Sequence, residues 1–198
     1  MKKTADTTHP IHPLLAERWS PRAFQDRPVD RATLGSLLEA ARWAPSSFNA
    51  QPWRFLVASR HDDPTGFERL RACLVEGNAW ARKASVLVLA VARRTFEHNG
   101  KENRHAWHDV GLALACLVVQ AQALGLATHQ MAGFDVETAR SSLGVPEGFD
   151  PVTMVAIGHR GDADALPEEL AARERGKRDR KALGSIAFGA TWEKELGL

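Results

Sequence analysis

The 198 residues carry 44% hydrophobic and 25% charged side chains, apolar mass for a substantial core in a chain of one-domain length. Lys and Arg number 26 against 24 Asp and Glu, a balance that excludes a nucleic-acid or membrane-surface protein driven by overall charge. Cys73 and Cys116 show no metal-ligand spacing and lie in apolar contexts, which excludes a disulfide scaffold and fits reduced core thiols.

Met1 to Pro10 holds two lysines but no apolar run, so no secretory signal is expected. No segment reaches the roughly 18 apolar residues of a spanning helix, and the expected location is the cytoplasm. Around Leu14 to Ala16 a short helix is expected, running into the turn Trp19-Ser20-Pro21-Arg22. From Asp30, a plausible cap, Leu34, Leu37, Leu38 and Ala41 recur at helical spacing until Pro45 stops them. Ser46 to Pro52 reads as a loop, and Trp53 to Ser59 as a first strand closed by His61-Asp62-Asp63-Pro64.

Phe67 to Asn78 reads as helical. Ala84 to Val91 is a nearly unbroken apolar run of strand length, the pattern of a strand covered on both faces. Arg94 to His105 is polar with a turn at Asn99-Gly100. Trp107 to Leu126 is the longest periodic segment, and its small residues suit a helix packed on all sides. Phe149 to Ile157 forms a third strand, Leu166 to Arg180 is charged without a strong apolar face, and Leu183 to Trp192 turns apolar again. Strands interleaved with helices imply a layered α+β or α/β domain.

Three constellations carry candidate chemistry. Arg18, Ser20 and Arg22 set two guanidinium groups around a hydroxyl at a proline turn, which suits a phosphate, although a solvated basic turn has the same composition. Pro45 to Trp53 packs Ser46, Ser47, Asn49 and Gln51 between a helix end and a strand start, where they could read a heteroaromatic edge or simply form a turn. Arg173 to Lys181 holds six basic residues against two acidic ones. Without interleaved aromatics it is a poor nucleic-acid patch, and it is either a solvated arm or an arm folded onto the anion site of Arg18 and Arg22. No HExxH, GxSxG, P-loop or GxGxxG pattern occurs, so no metal site and no catalytic side-chain set is expected and the chemistry falls to a cofactor.

Together, Arg18–Phe24 (RWSPRAF), the stretch from Pro28 through the helix into Ala44–Phe55 (APSSFNAQPWRF), and Gly125–Asp135 (GLATHQMAGFD) resemble the nitroreductase family. The resemblance extends over almost the whole chain, read as one FMN-binding domain over residues 1–198. It implies an α+β three-layer sandwich, a mostly antiparallel central sheet flanked by helices, in an intertwined homodimer with FMN at the subunit interface.

By the same resemblance Arg18, Trp19 and Ser20 lie at the phosphate and ribityl end, and Arg22 near the pyrimidine end of the ring. Pro45, Ser46, Ser47, Asn49 and Gln51 reach the flavin from the partner subunit, and Phe48 faces the acceptor. Ala132 and Gly133 give backbone contacts near flavin N5, Ala132 standing where some relatives carry Glu. Asn78 matches a flavin-contacting Asn. Arg178 and Arg180 match the late basic element, with Lys177 and Lys181 as alternatives. The implied activity passes hydride from NADPH or NADH through FMN to a small acceptor such as a nitroaromatic or quinone, with no catalytic side chain of its own. Left open are a flavin-binding protein without turnover and a branch with other redox chemistry, such as enone reduction or substrate dehydrogenation.

Overall fold

The computed structural model describes residues 3–198. Four strands, β1 (Trp53–Ser59), β2 (Val86–Arg93), β3 (Ala127–Met131) and β4 (Phe149–Gly158), form one sheet in the order β1-β2-β4-β3 with every pairing antiparallel. The expected strands 53–59, 84–91 and 149–157 are the first, second and fourth of these, with β2 shifted two residues onward. The sequence reading lacks β3. Its five residues include His129 and Gln130, so neither an apolar run nor a clean alternation marks it, as suits a short edge strand.

Among the described residues six α-helices accompany the sheet: α1 (Pro13–Glu17), α2 (Arg31–Arg42), α3 (Pro64–Ala72), α4 (Ala106–Ala123), α5 (Val136–Leu143) and α6 (Glu168–Arg175). Asp30 caps α2 by accepting the Thr33 N–H at 2.8 Å, a bond worth about 1 kcal/mol. The expected helix 67–78 is instead two pieces. Asp63 accepts the Gly66 N–H at 2.9 Å with Pro64 in the first turn, starting α3 three residues early inside the group read as the end of β1. After Ala72 the chain tightens into a 3-10 stretch, Glu76–Lys83.

The alternation of β2 builds both core layers. Val86, Val88, Ala90 and Ala92 pack with Leu37 and Ala41 of α2 and Val110, Leu114 and Leu117 of α4. Leu87, Leu89 and Val91 pack on the opposite face with Phe67 and Leu70 of α3, Ala139 of α5 and Trp80. Burying both faces makes the strand apolar throughout, each leucine contributing about 1.5 to 3 kcal/mol. The register slips between Ala90 and Val91, opposite Thr153 and Pro151. Proline has no N–H for the ladder, and a bulge is where a sheet admits one.

Beyond the Leu124 cap of α4 the chain turns at Gly125 (φ 74°), and β3 begins two residues later. Among the described residues no helix is long and apolar enough to cross a membrane.

Candidate functional site

The turn after α1 forms one wall of a basic cleft of about 240 Å³. Arg18, Trp19, Ser20 and Arg22 line it from that turn, and Arg173, Glu174, Arg178 and Arg180 line it from α6 and the arm that follows. The arm therefore folds onto the turn, the second of the two readings the sequence left open. Arg178 donates to the carbonyls of Lys3 and Ala16 at 2.7 and 2.6 Å, which docks the arm against the end of α1. Lys177 and Lys181 do not line this cleft.

The charge in the cleft is under-compensated. Arg18 donates to Ser20 Oγ at 3.2 Å. Burial, then Arg178 and Arg180, lower the Arg18 pKa from its ordinary value. Arg178 is lowered in the same way by burial and Arg180. Glu174, the acid of the cleft, spends its carboxylate on the amides of Arg22 and Ala23. The Trp19 indole N–H is buried without a hydrogen-bond partner. Clustered guanidinium groups with so little counter-charge suit an anion.

Beneath the turn lies a group of rings that sequence reasoning missed. His129 of β3 lies with Nδ1 2.9 Å from the Pro21 carbonyl, and its ring centroid is 4.5 Å from that of Trp80. Trp80 stacks on Phe24 at 6.3 Å, and the Arg22 guanidinium lies 6.0 Å from the Trp80 centroid. Burial drives the His129 pKa down to about 4, with Arg22 and Arg18 adding to the shift. The imidazole is therefore neutral at pH 7, and the contact is a Nδ1–H donating to Pro21 O. A single histidine between β-formers carries no spacing signal, which is why the sequence did not reveal it.

Beyond the end of β3, Asn78 donates to the Gly133 carbonyl at 2.9 Å, and the Val75 N–H reaches the same oxygen at 3.3 Å. A Cβ on Gly133 would fall 2.7 Å from Asn78 Nδ2. A side chain at that position would force the Asn78 amide to shift. Asn78 and Gly133, far apart in sequence, thus meet.

The loop Pro45 to Pro52 makes its contacts elsewhere. Phe48, Asn49 and Gln51 have φ of 53°, 52° and 45°, left-handed values unusual for residues with a Cβ. Gln51 N–H donates to Ser46 Oγ at 3.0 Å, and Ser47 N–H to Asp109 Oδ2 of α4 at 3.0 Å. The Gln51 side chain turns back to the Asn49 carbonyl at 3.2 Å. Phe48 is 83% exposed and meets Phe96 edge-on at 5.7 Å and His98 at 6.2 Å. Among the described residues no group of three or more His, Cys, Asp or Glu side chains is arranged for a metal.

The nitroreductase family model matches residues 15–159. The chain belongs to the nitroreductase family. It is an oxidoreductase, and its α+β fold is that of the family. A solved structure described as an oxidoreductase containing FMN is 37% identical with a TM-score of 0.88, covering 96% of each chain. A nitroreductase family protein of Clostridium difficile is 25% identical with a TM-score of 0.70, over 90% of this chain and 96% of its own. A relative named NADH dehydrogenase, from Thermus thermophilus, is 30% identical over 190 residues, 80% of this chain and 90% of its own.

Proposed function

We propose that this nitroreductase-family chain acts as a single FMN-binding domain, that it works as a homodimer in the cytoplasm, and that NADH or NADPH is its reductant. The observation that carries the reading is the cleft where Arg18, Arg178 and Arg180 crowd one another beside the partnerless Trp19 N–H. A phosphate monoester of charge near −2 at pH 7 supplies the counter-charge and acceptors this donor set lacks.

In this reading Arg18, Ser20, Arg178 and Arg180 hold the phosphate, with Trp19 lining the same end. Arg22, over Trp80, lies toward the pyrimidine edge, where its charge favours the electron-rich form of the ring. The Ala132–Gly133 backbone and Asn78 border the ring, the Asn78 amide fixed by Gly133 O. Bound FMN would supply the two-electron chemistry that links NAD(P)H to a small acceptor such as a nitroaromatic or quinone, in ping-pong order. The side chains bind, orient and exclude water.

The homodimer reading rests on exposed apolar groups beside the loop. Trp43 is 75% exposed, Phe48 83% and Trp107 55%, and such groups on neighbouring elements fit burial against a second copy. In the dimer, Pro45, Ser46, Ser47, Asn49 and Gln51 reach the partner's flavin, and Phe48 faces the acceptor.

The deciding experiment is the anaerobic visible spectrum of the purified protein before and after NADH or NADPH. The expected result is flavin absorption that bleaches. Bands that persist would make the chain a flavoprotein without NAD(P)H turnover, and no bands after added FMN would overturn the proposal.

A further inference from the structure

We propose that Asp109 is a positioning residue: it holds the loop 46–51 in its left-handed course, and through that loop it sets how Phe48 meets the acceptor. Asp109 sits in the first turn of α4, 2% exposed, on a face shared with Ala106, Val110 and Ala113. An apolar residue would suit that face, and a carboxylate there carries a desolvation cost that only its bonds offset. It has two. Oδ2 accepts the Ser47 N–H at 3.0 Å, and Oδ1 lies 2.9 Å from His108 Nδ1.

The first bond reaches the residue directly before Phe48. Three of the four residues 48–51 are left-handed with a Cβ, and such backbone persists where its surroundings over-determine it. Within the loop, Gln51 N–H is held by Ser46 Oγ, Asn49 N–H by Ser46 O and Ala50 N–H by Ser47 O. These bonds shape the loop but do not fix it to the core. The Asp109 bond does, tying Ser47 to the longest helix of the fold. Phe48, 83% exposed, cannot be held in place by burial, so its approach to Phe96 and His98 follows from where the backbone is pinned.

The consequence for the acceptor rests on the function proposed above, while the anchoring itself does not. The test compares the purified protein with Asp109→Ala, Asp109→Asn and His108→Ala. Hydrogen exchange is read by mass spectrometry over residues 46–51 and over β2, and the acceptor KM is measured with menadione as the quinone probe. In Asp109→Ala the loop should exchange about tenfold faster with β2 unchanged. With FMN added to saturation, the menadione KM should rise about tenfold while the rate of flavin bleaching by NADH changes by a smaller factor.

Asp109→Asn, whose amide oxygen still accepts the Ser47 N–H, should restore both values, and His108→Ala should change neither. If Asp109→Ala does not fold, Asp109→Leu, which keeps the branched side-chain skeleton without an acceptor, takes its place. Unchanged loop exchange, an equal rise in β2, or an Asn variant no better than Ala would overturn the anchoring. A loosened loop with unchanged KM would overturn the link to the acceptor. A protein that never shows flavin bands would refute the function and leave the exchange result standing.

Discussion

The Glu174 carboxylate lies 3.0 and 3.1 Å from the Arg22 amide nitrogen, so a side chain of α6 completes the backbone of a turn 152 residues earlier. It also accepts the Ala23 N–H at 3.1 Å and is 2% exposed. Alanine here would strand two amides in a place water does not reach. Glu174→Ala should therefore cost about 2 to 4 kcal/mol in urea unfolding at pH 7. Glu174→Gln, which keeps an acceptor oxygen, should recover most of this. An Ala variant within about 0.5 kcal/mol of the parent would mean that the arm does not need this contact.

Arg18 is a different case, because the protein alone gains little from it. Burial and the neighbouring Arg178 and Arg180 disfavour its charge, so Arg18→Ala should leave the FMN-free protein as stable as before, or slightly more so. A phosphate reverses the balance. Each charge-assisted bond contributes about 1.5 to 3 kcal/mol, so FMN affinity should fall about ten- to a hundredfold. Fluorescence titration of the FMN-free protein measures this directly, and unchanged affinity would remove Arg18 from the phosphate site.

What the sequence revealed follows the reach of each signal. Asp30, the 3.6-residue spacing of Leu34 to Ala41 and the apolar run of β2 are local patterns, and each produced its element. The Arg18-Ser20-Arg22 element and the later Arg178 and Arg180 were each legible, but their meeting at one cleft is a tertiary fact. Glu174 and Asp109 were missed because each looks like an ordinary helix-surface acid. Only the fold shows that both are buried and that each accepts from a distant backbone amide. Asn78 was legible by resemblance alone, and its bond to Gly133 O depends on how the 3-10 stretch and the end of β3 meet.

His129 gives the fold an acid limb. Its pKa is about 4 in the folded chain against 6.5 ordinarily, so the unfolded chain binds the proton more readily. The stabilisation is fully present above pH 6.5, declines as the pH falls from 6.5 toward 4, and is gone below. At most about 3 kcal/mol is involved. His129→Phe keeps a ring against Trp80 but removes the Nδ1–H bond to Pro21 O. It should be less stable at pH 7 and flatter between pH 6.5 and 4 in chemical denaturation. Parallel curves for the two proteins would assign the acid limb to other groups.

Phe48 separates backbone strain from ligand contact. Its side chain is 83% exposed and its φ is 53°, so truncation removes little burial while glycine would relieve the left-handed conformation. Phe48→Ala should change unfolding stability by less than about 0.5 kcal/mol, and Phe48→Gly should be neutral or stabilising by up to about 1 kcal/mol. Both should keep FMN within about twofold of the parent affinity, since the phosphate cleft is built by other elements. Acceptor selectivity should move instead. The ratio of kcat/KM for menadione to that for a nitroaromatic should shift, because the two differ in width and polarity where the Phe48 ring is placed. Lost flavin in either variant would place Phe48 against the cofactor, and an unchanged ratio would take it out of the acceptor site.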